Sequence, residues 1–163
     1  MTGWGLVGGS PGRSLLLDCG DIRLGSASDS LARRLARLER ELRELVDRLC
    51  PSAAAVESSF HGANSRSALQ LAHARGVVLA VLAGAGVSIA EYTPATVKKS
   101  VTGNGRAPKE QVRSMVGRLL GPEALPPGSD LSDALAVALC HAASSRHREA
   151  VARFAGGPGN RSG

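Results

Sequence analysis

Ala53-Ala54-Ala55-Val56-Glu57 is a short apolar run closed by an acid. Its length suits a buried strand better than a helix, and the acid makes the strand's C-terminal tip a functional candidate. A polar loop, Ser58 to Asn64, follows. From about Ser67 to Ala83 the chain reads as a helix, with Gly84 as its stop. Val87 to Tyr92 is the next strand. This strand, helix, strand succession sets the class as α/β, and the rest of the chain extends it on both sides.

On the N-terminal side, Trp4 to Val7 and Ser14 to Cys19 read as strands around a Gly8–Gly12 turn. Ile22 to Leu24 is expected to add a short third strand, completing an antiparallel meander. Leu31, Leu35, Leu38, Leu42, Leu45 and Leu49 then recur at spacings of four and three, a helix capped by Ser28, Asp29 or Ser30 and stopped at Cys50-Pro51. Fewer than three full heptads are present, so the leucine stripe fits packing on a sheet better than a coiled coil. On the C-terminal side, Thr93-Pro94 opens a helix to about Val101, Pro108 one to about Leu120, and Asp130 one to about Ser145. A Gly/Pro-rich connector, Gly121 to Gly128, separates the last two. The order predicts a mixed sheet flanked by helices. One domain is expected over residues 1–146, with a basic, Gly-rich, disordered tail over 147–163.

At 163 residues, 43% apolar and 21% charged, the chain has room for one core and is not disordered throughout. Its only aromatics are Trp4, Phe60, Tyr92 and Phe154, so that core must be aliphatic. The net charge of +6 favours an anionic partner, nucleic acid first, although a basic surface serves solubility equally well. Cys19, Cys50 and Cys140 form no CxxC pair and no zinc spacing, which points to a reducing, cytoplasmic setting. Gly76 to Ala90, broken by Gly84 and Gly86, is too short a run to cross a bilayer, and no signal peptide is expected.

Three acids stand out by placement: Glu57 at a strand tip, and Asp130 and Asp133 three apart at a helix start, where both project from one face. Carboxylates converging in this way hold hard divalent cations such as Mg²⁺, and paired ions can hydrolyse a phosphodiester. Each acid also has a plain role, at a helix N-terminus or on the surface.

Four blocks of sequence, in order, carry a resemblance. Ala55-Val56-Glu57-Ser58-Ser59-Phe60 resembles the second acidic motif of the RuvC family of crossover junction endodeoxyribonucleases. Asn64 to Gly76 is similar to that family's N-x-x-S-A-x-x-L-x-x-A-R-G stretch. Tyr92-Thr93-Pro94 through Lys98-Lys99, with Val101-Thr102-Gly103 and Lys109-x-Gln111-Val112, matches the next block. Ser129 to Ala138 resembles the closing acidic helix. The resemblance implies an RNase H-like mixed five-stranded sheet and a homodimer. It implies symmetric nicking of four-way DNA junctions in recombination and repair, alongside the RuvA–RuvB branch-migration complex. It also implies two Mg²⁺ ions per subunit, replaceable by Mn²⁺ and held by four acids, of which Glu57, Asp130 and Asp133 are three. Phe60 matches an aromatic placed at the junction, and Lys98 and Lys109 match lysines near DNA phosphates. Arg66 and Arg75 are phosphate contacts by position, with surface or ion-pair roles open to both. His73 and His141 are assigned to packing or surface.

The front departs from the family pattern, which has an apolar strand ending Asp-Pro-Gly ahead of Thr-Gly-Trp-Gly. Here Met1 directly precedes Thr2-Gly3-Trp4-Gly5, and no earlier Asp replaces the first acid, since Asp18 and Asp21 belong to later strands. The expectation is that Met1 is an internal GTG codon and that the upstream DNA encodes this central strand. Residues 1–163 alone should then be poorly soluble and inactive. The competing readings are a catalytically dead junction-binding protein and, without the resemblance, a helical adaptor dimerising through its leucine helix.

Overall fold

The structure, a computed structural model, describes residues 2–10, 13–26, 28–58, 65–121 and 131–155. Strand β1 (Thr2–Ser10) runs antiparallel to β2 (Arg13–Ile22), in register from Thr2 opposite Ile22 to Ser10 opposite Arg13, with an irregularity between Leu6 and Val7. The expected third strand does not form among the described residues. Ile22 instead closes β2, because its pairing with Thr2 carries the ladder to the end of β1.

Helix α1 (Leu31–Leu49) has the expected caps: Ser30 Oγ accepts from the Arg33 N–H at 3.4 Å, and Cys50, at φ 43°, donates its N–H to the Val46 carbonyl at 2.9 Å. Leu38, Leu42 and Val46 are buried against Ile22 of β2 and against Val81 and Leu82 of α2 (Ser65–Gly84). The stripe therefore packs within the fold, as its heptad count implied. Arg48 bonds Asp18 at 3.1 Å and lies 5.8 Å from the Trp4 ring, tying α1 to the hairpin and engaging Asp18 structurally. Helix α2 starts ahead of the expected Ser67. Over Ser67–Gly84 it is long and apolar enough to cross a membrane by length and composition, which corrects the shorter run expected. The apolar stretch begins well before Gly76. Only Val81 and Leu82, near its C-terminal end, are buried within this span, where they pack against α1.

This crossover joins β3 (Ala53–Glu57) to β4 (Ser88–Tyr92) in parallel, with Glu57 level with Tyr92. Parallel neighbours need such a helix-length connection. Three helices follow: α3 (Pro94–Thr102), α4 (Lys109–Leu120) and α5 (Leu131–Ala155). The last continues past the expected stop near Ser145 and takes in residues 147–155 of the expected tail. No Gly or Pro interrupts it before Gly156, and alanines, arginines and a glutamate favour helix. Residues 156–163 and most of the Gly121–Gly128 connector lie outside the described residues.

Strand alternation sorts the core into two layers. Ala54 and Val56 of β3 pack with Trp4, Ile22, α1 and α2; Ala55 packs on the other face with α3, α4 and α5. A Cβ on Gly5 would run into the Leu135 side chain, so only glycine lets β1 lie this close to α5. The strands nevertheless form two separate pairs, β1–β2 and β3–β4, where one mixed sheet was expected. Among the described residues nothing bridges β1 to β3.

Candidate active site

Period-two alternation puts Glu57 on the same face of β3 as Ala55, toward α5. Asp133 sits in the first turn of α5, where a negative charge also suits the helix N-terminus. The two carboxylates sense each other. Glu57 is half-buried, and burial raises its pKa above the usual glutamate value, Asp133 raises it further, and Lys98 of α3 pulls it down. Lys109, the first residue of α4, places Nζ 3.1 Å from Asp133 Oδ2, with both side chains about half exposed. Two acids and two ammonium groups therefore gather from four elements, β3, α5, α3 and α4, at one end of the β3–β4 pair.

The donor set is all oxygen, the chemistry that hard cations prefer, and a half-buried glutamate raised by its neighbour is stabilised when a cation enters. The residues fit a divalent metal. Among the described residues no group of three or more acid, histidine or cysteine side chains assembles; Glu57 and Asp133 contribute two carboxylates. Asp130 and Phe60 lie outside the described residues, and Arg66 is placed in the first turn of α2 without a described side chain. Arg75 takes the ion-pair role: its guanidinium pairs with Glu91 of β4 and is only 23% exposed. His73 is exposed on α2.

Packing is the outcome for His141, within a network that sequence reasoning missed. The Tyr92 hydroxyl and His141 Nδ1 lie 3.0 Å apart with their rings edge to face, and His141 Nε2 lies 3.3 Å from Ser145 Oγ. Its signal was available: Tyr92 is one of four aromatics and ends the strand beside Glu57.

The family model for crossover junction endodeoxyribonuclease RuvC matches residues 1–141. The chain belongs to the RuvC family. It is similar to the enzyme of that name from Moorella thermoacetica, 47% identical over 158 residues, which cover 96% of this chain and 93% of that one. The Xanthobacter autotrophicus RuvC is 48% identical over 152 residues, covering 93% and 87%. Among solved structures, Thermus thermophilus RuvC superposes with a TM-score of 0.78 at 34% identity, over 90% of this chain and 89% of that one. The T. thermophilus RuvC in complex with a Holliday junction substrate gives 0.81 at 34% identity, over 88% and 87%. RuvC relatives are nucleases that hydrolyse phosphodiester bonds, and the mixed α/β architecture here is theirs.

Proposed function

We propose that the chain is a metal-dependent endonuclease that resolves Holliday junctions in recombination and DNA repair, nicking two strands symmetrically. The observation that carries this is the facing pair Glu57 and Asp133, flanked by Lys98 and Lys109, in a RuvC-family chain. Glu57 and Asp133, joined by Asp130, would hold two Mg²⁺ ions, with Mn²⁺ as a substitute. Bound there, the metal supplies a Lewis acid and an activated water.

The protein's own part is electrostatic and positional. Lys98 and Lys109 set positive charge beside the acids, where a phosphodiester must approach, and Arg66 adds to that charge from α2. Phe60, three residues after Glu57 in the sequence, is an aromatic of the kind that stacks against unpaired junction bases. Half-burial of Glu57 lowers the dielectric around its carboxylate, which strengthens its attraction for a cation.

Two nicks need two sites, and the homodimer reading rests on α2. Leu69 and Leu71 are 59% and 54% exposed on a helix that is mostly apolar, and exposed apolar patches mark interfaces. Cytoplasmic location and cooperation with the RuvA–RuvB complex complete the proposal, since the substrate is chromosomal DNA in branch migration. Nicking of a synthetic four-way junction with Mg²⁺, against linear duplex and against EDTA, tests it. A catalytically dead junction binder is the second reading, favoured by the two carboxylates found among the described residues. Junction binding that persists without nicking at any Mg²⁺ or Mn²⁺ concentration would select it.

A further inference from the structure

Tyr92 is a meeting point of elements. Its carbonyl accepts the Ser58 N–H at 2.8 Å, so β4 holds the chain at the first residue past Glu57. The parallel register sets Tyr92 level with Glu57 and on the same face, toward α5. One residue on, Thr93 caps α3, the helix that carries Lys98. The Tyr92 hydroxyl lies 3.0 Å from His141 Nδ1 on α5, the helix that carries Asp133. Of the four elements that build the acidic site, β3, α3 and α5 are therefore tied together at this one residue.

Apolar packing alone does not fix α5 here. Ala134, Ala138 and His141 border a cavity that Ala55 and Glu57 also line. Contacts between small aliphatic groups are non-directional, and beside a void they oppose the sliding of a helix only weakly. A hydrogen bond differs, because it weakens steeply once its geometry is lost. His141 is also held at its other nitrogen, where Ser145 Oγ of the next turn lies 3.3 Å from Nε2, and its ring meets Tyr92 edge to face. The imidazole thus presents Nδ1 to β4 in one orientation. It stands two turns past Asp133, about 12 Å along the axis. Any slip of α5 at His141 therefore moves Asp133 by the same amount. Mg²⁺ demands its ligands at about 2.0–2.1 Å, so a slip of a single turn's fraction already costs a ligand.

We propose that Tyr92 and His141 are positioning residues: their bond sets the height of α5 against β3–β4 and so holds Asp133 at the distance from Glu57 that a shared divalent ion requires. The inference rests on the metal-dependent reading of this site and deepens it.

Mn²⁺ binding to the 163-residue chain, read by calorimetry, tests it, with Glu57→Gln as the variant that should bind least. Tyr92→Phe keeps the ring and removes the hydroxyl. It should weaken Mn²⁺ binding by on the order of tenfold, while its melting temperature falls by no more than about 4 °C. Substitutions at His141 separate positioning from packing. Nδ1 is bonded to Cγ, the atom that also bears the polar atoms of asparagine; glutamine is nearer histidine in size but bears them one bond further out. His141→Asn should therefore retain the parent affinity, and His141→Gln should weaken binding as Tyr92→Phe does. Tyr92→Phe binding Mn²⁺ as tightly as the parent overturns the proposal while leaving the metal site standing. So does an affinity that merely tracks melting temperature across the variants, or His141→Gln binding as well as His141→Asn. A parent chain that binds no Mn²⁺ overturns the metal-dependent reading, and this inference with it.

Discussion

The two faces of the strands are finished differently. On the α5 side, Val116, Leu135 and Cys140 are fully buried among three helices, although Ala134, Val137 and Ala138 of α5 border a cavity of about 670 Å³. On the α1–α2 side, among the described residues, only Leu38 reaches that burial, and Leu42 and Val46 line the same cavity, a slot between β1 and β3. The acidic site belongs to the α5 side. A reactive centre that must hold carboxylates against their own repulsion is thus anchored in the better-packed layer, while the looser layer carries the open strand edges and the exposed leucines of α2.

Substitutions can break this contrast. The largest effect is expected for Glu57→Gln in a nicking-competent chain: cleavage falls by on the order of a thousandfold, while gel-shift affinity for a four-way junction is kept. Comparable nicking by the variant would remove Glu57 from the site. The same change has a second, opposite signature. Burial and Asp133 raise the Glu57 carboxyl, so the metal-free fold gains stability when that group is protonated and loses it as pH rises through the raised value. Metal-free Glu57→Gln should therefore melt higher than its parent at neutral pH, the gap closing near about pH 4. A lower melting temperature at neutral pH would contradict this.

Next in size is the packing contrast itself. Leu135→Ala in the core on the α5 side should cost about 3–4 kcal/mol in denaturant unfolding, and Leu42→Ala beside the slot about 2 kcal/mol, because an existing void already deprives Leu42 of neighbours. Equal losses would show that the slot does not loosen its surroundings. The smallest effect is at the rim. Lys109→Gln removes an exposed cation from Asp133 and should tighten Mg²⁺ binding by about two- to threefold in calorimetry, while weakening junction binding in a salt-dependent way.

Local features were legible in advance. The leucine spacing and Ser30 located α1, the apolar run and its acid gave β3 and Glu57 to the residue, and Pro94 and Pro108 marked helix starts. What escaped depends on contacts distant in sequence. Ile22 could not be assigned to β2 without knowing that Thr2 lies opposite it. The Lys109–Asp133 and Tyr92–His141 pairs bring together residues 24 and 49 positions apart, beyond any periodicity. Separation of the strands into two pairs is likewise a property of edges. Lys109 itself was singled out by family resemblance alone, as a lysine near DNA phosphates, since one lysine at a helix start carries no signal of its own.

Arg75 has a consequence for the orientation of α2. An apolar helix with little contrast between its faces has no strong preference for which side meets the strands; rolling it about its axis exchanges one aliphatic surface for another. Arg75 is the only Lys, Arg, Asp or Glu between Ser67 and Gly84, and its half-buried pairing with Glu91 can be satisfied at a single rotation. That one contact acts as an indexing pin. It sets the azimuth of the whole helix, and with it which leucines turn outward, Leu69 and Leu71 among them.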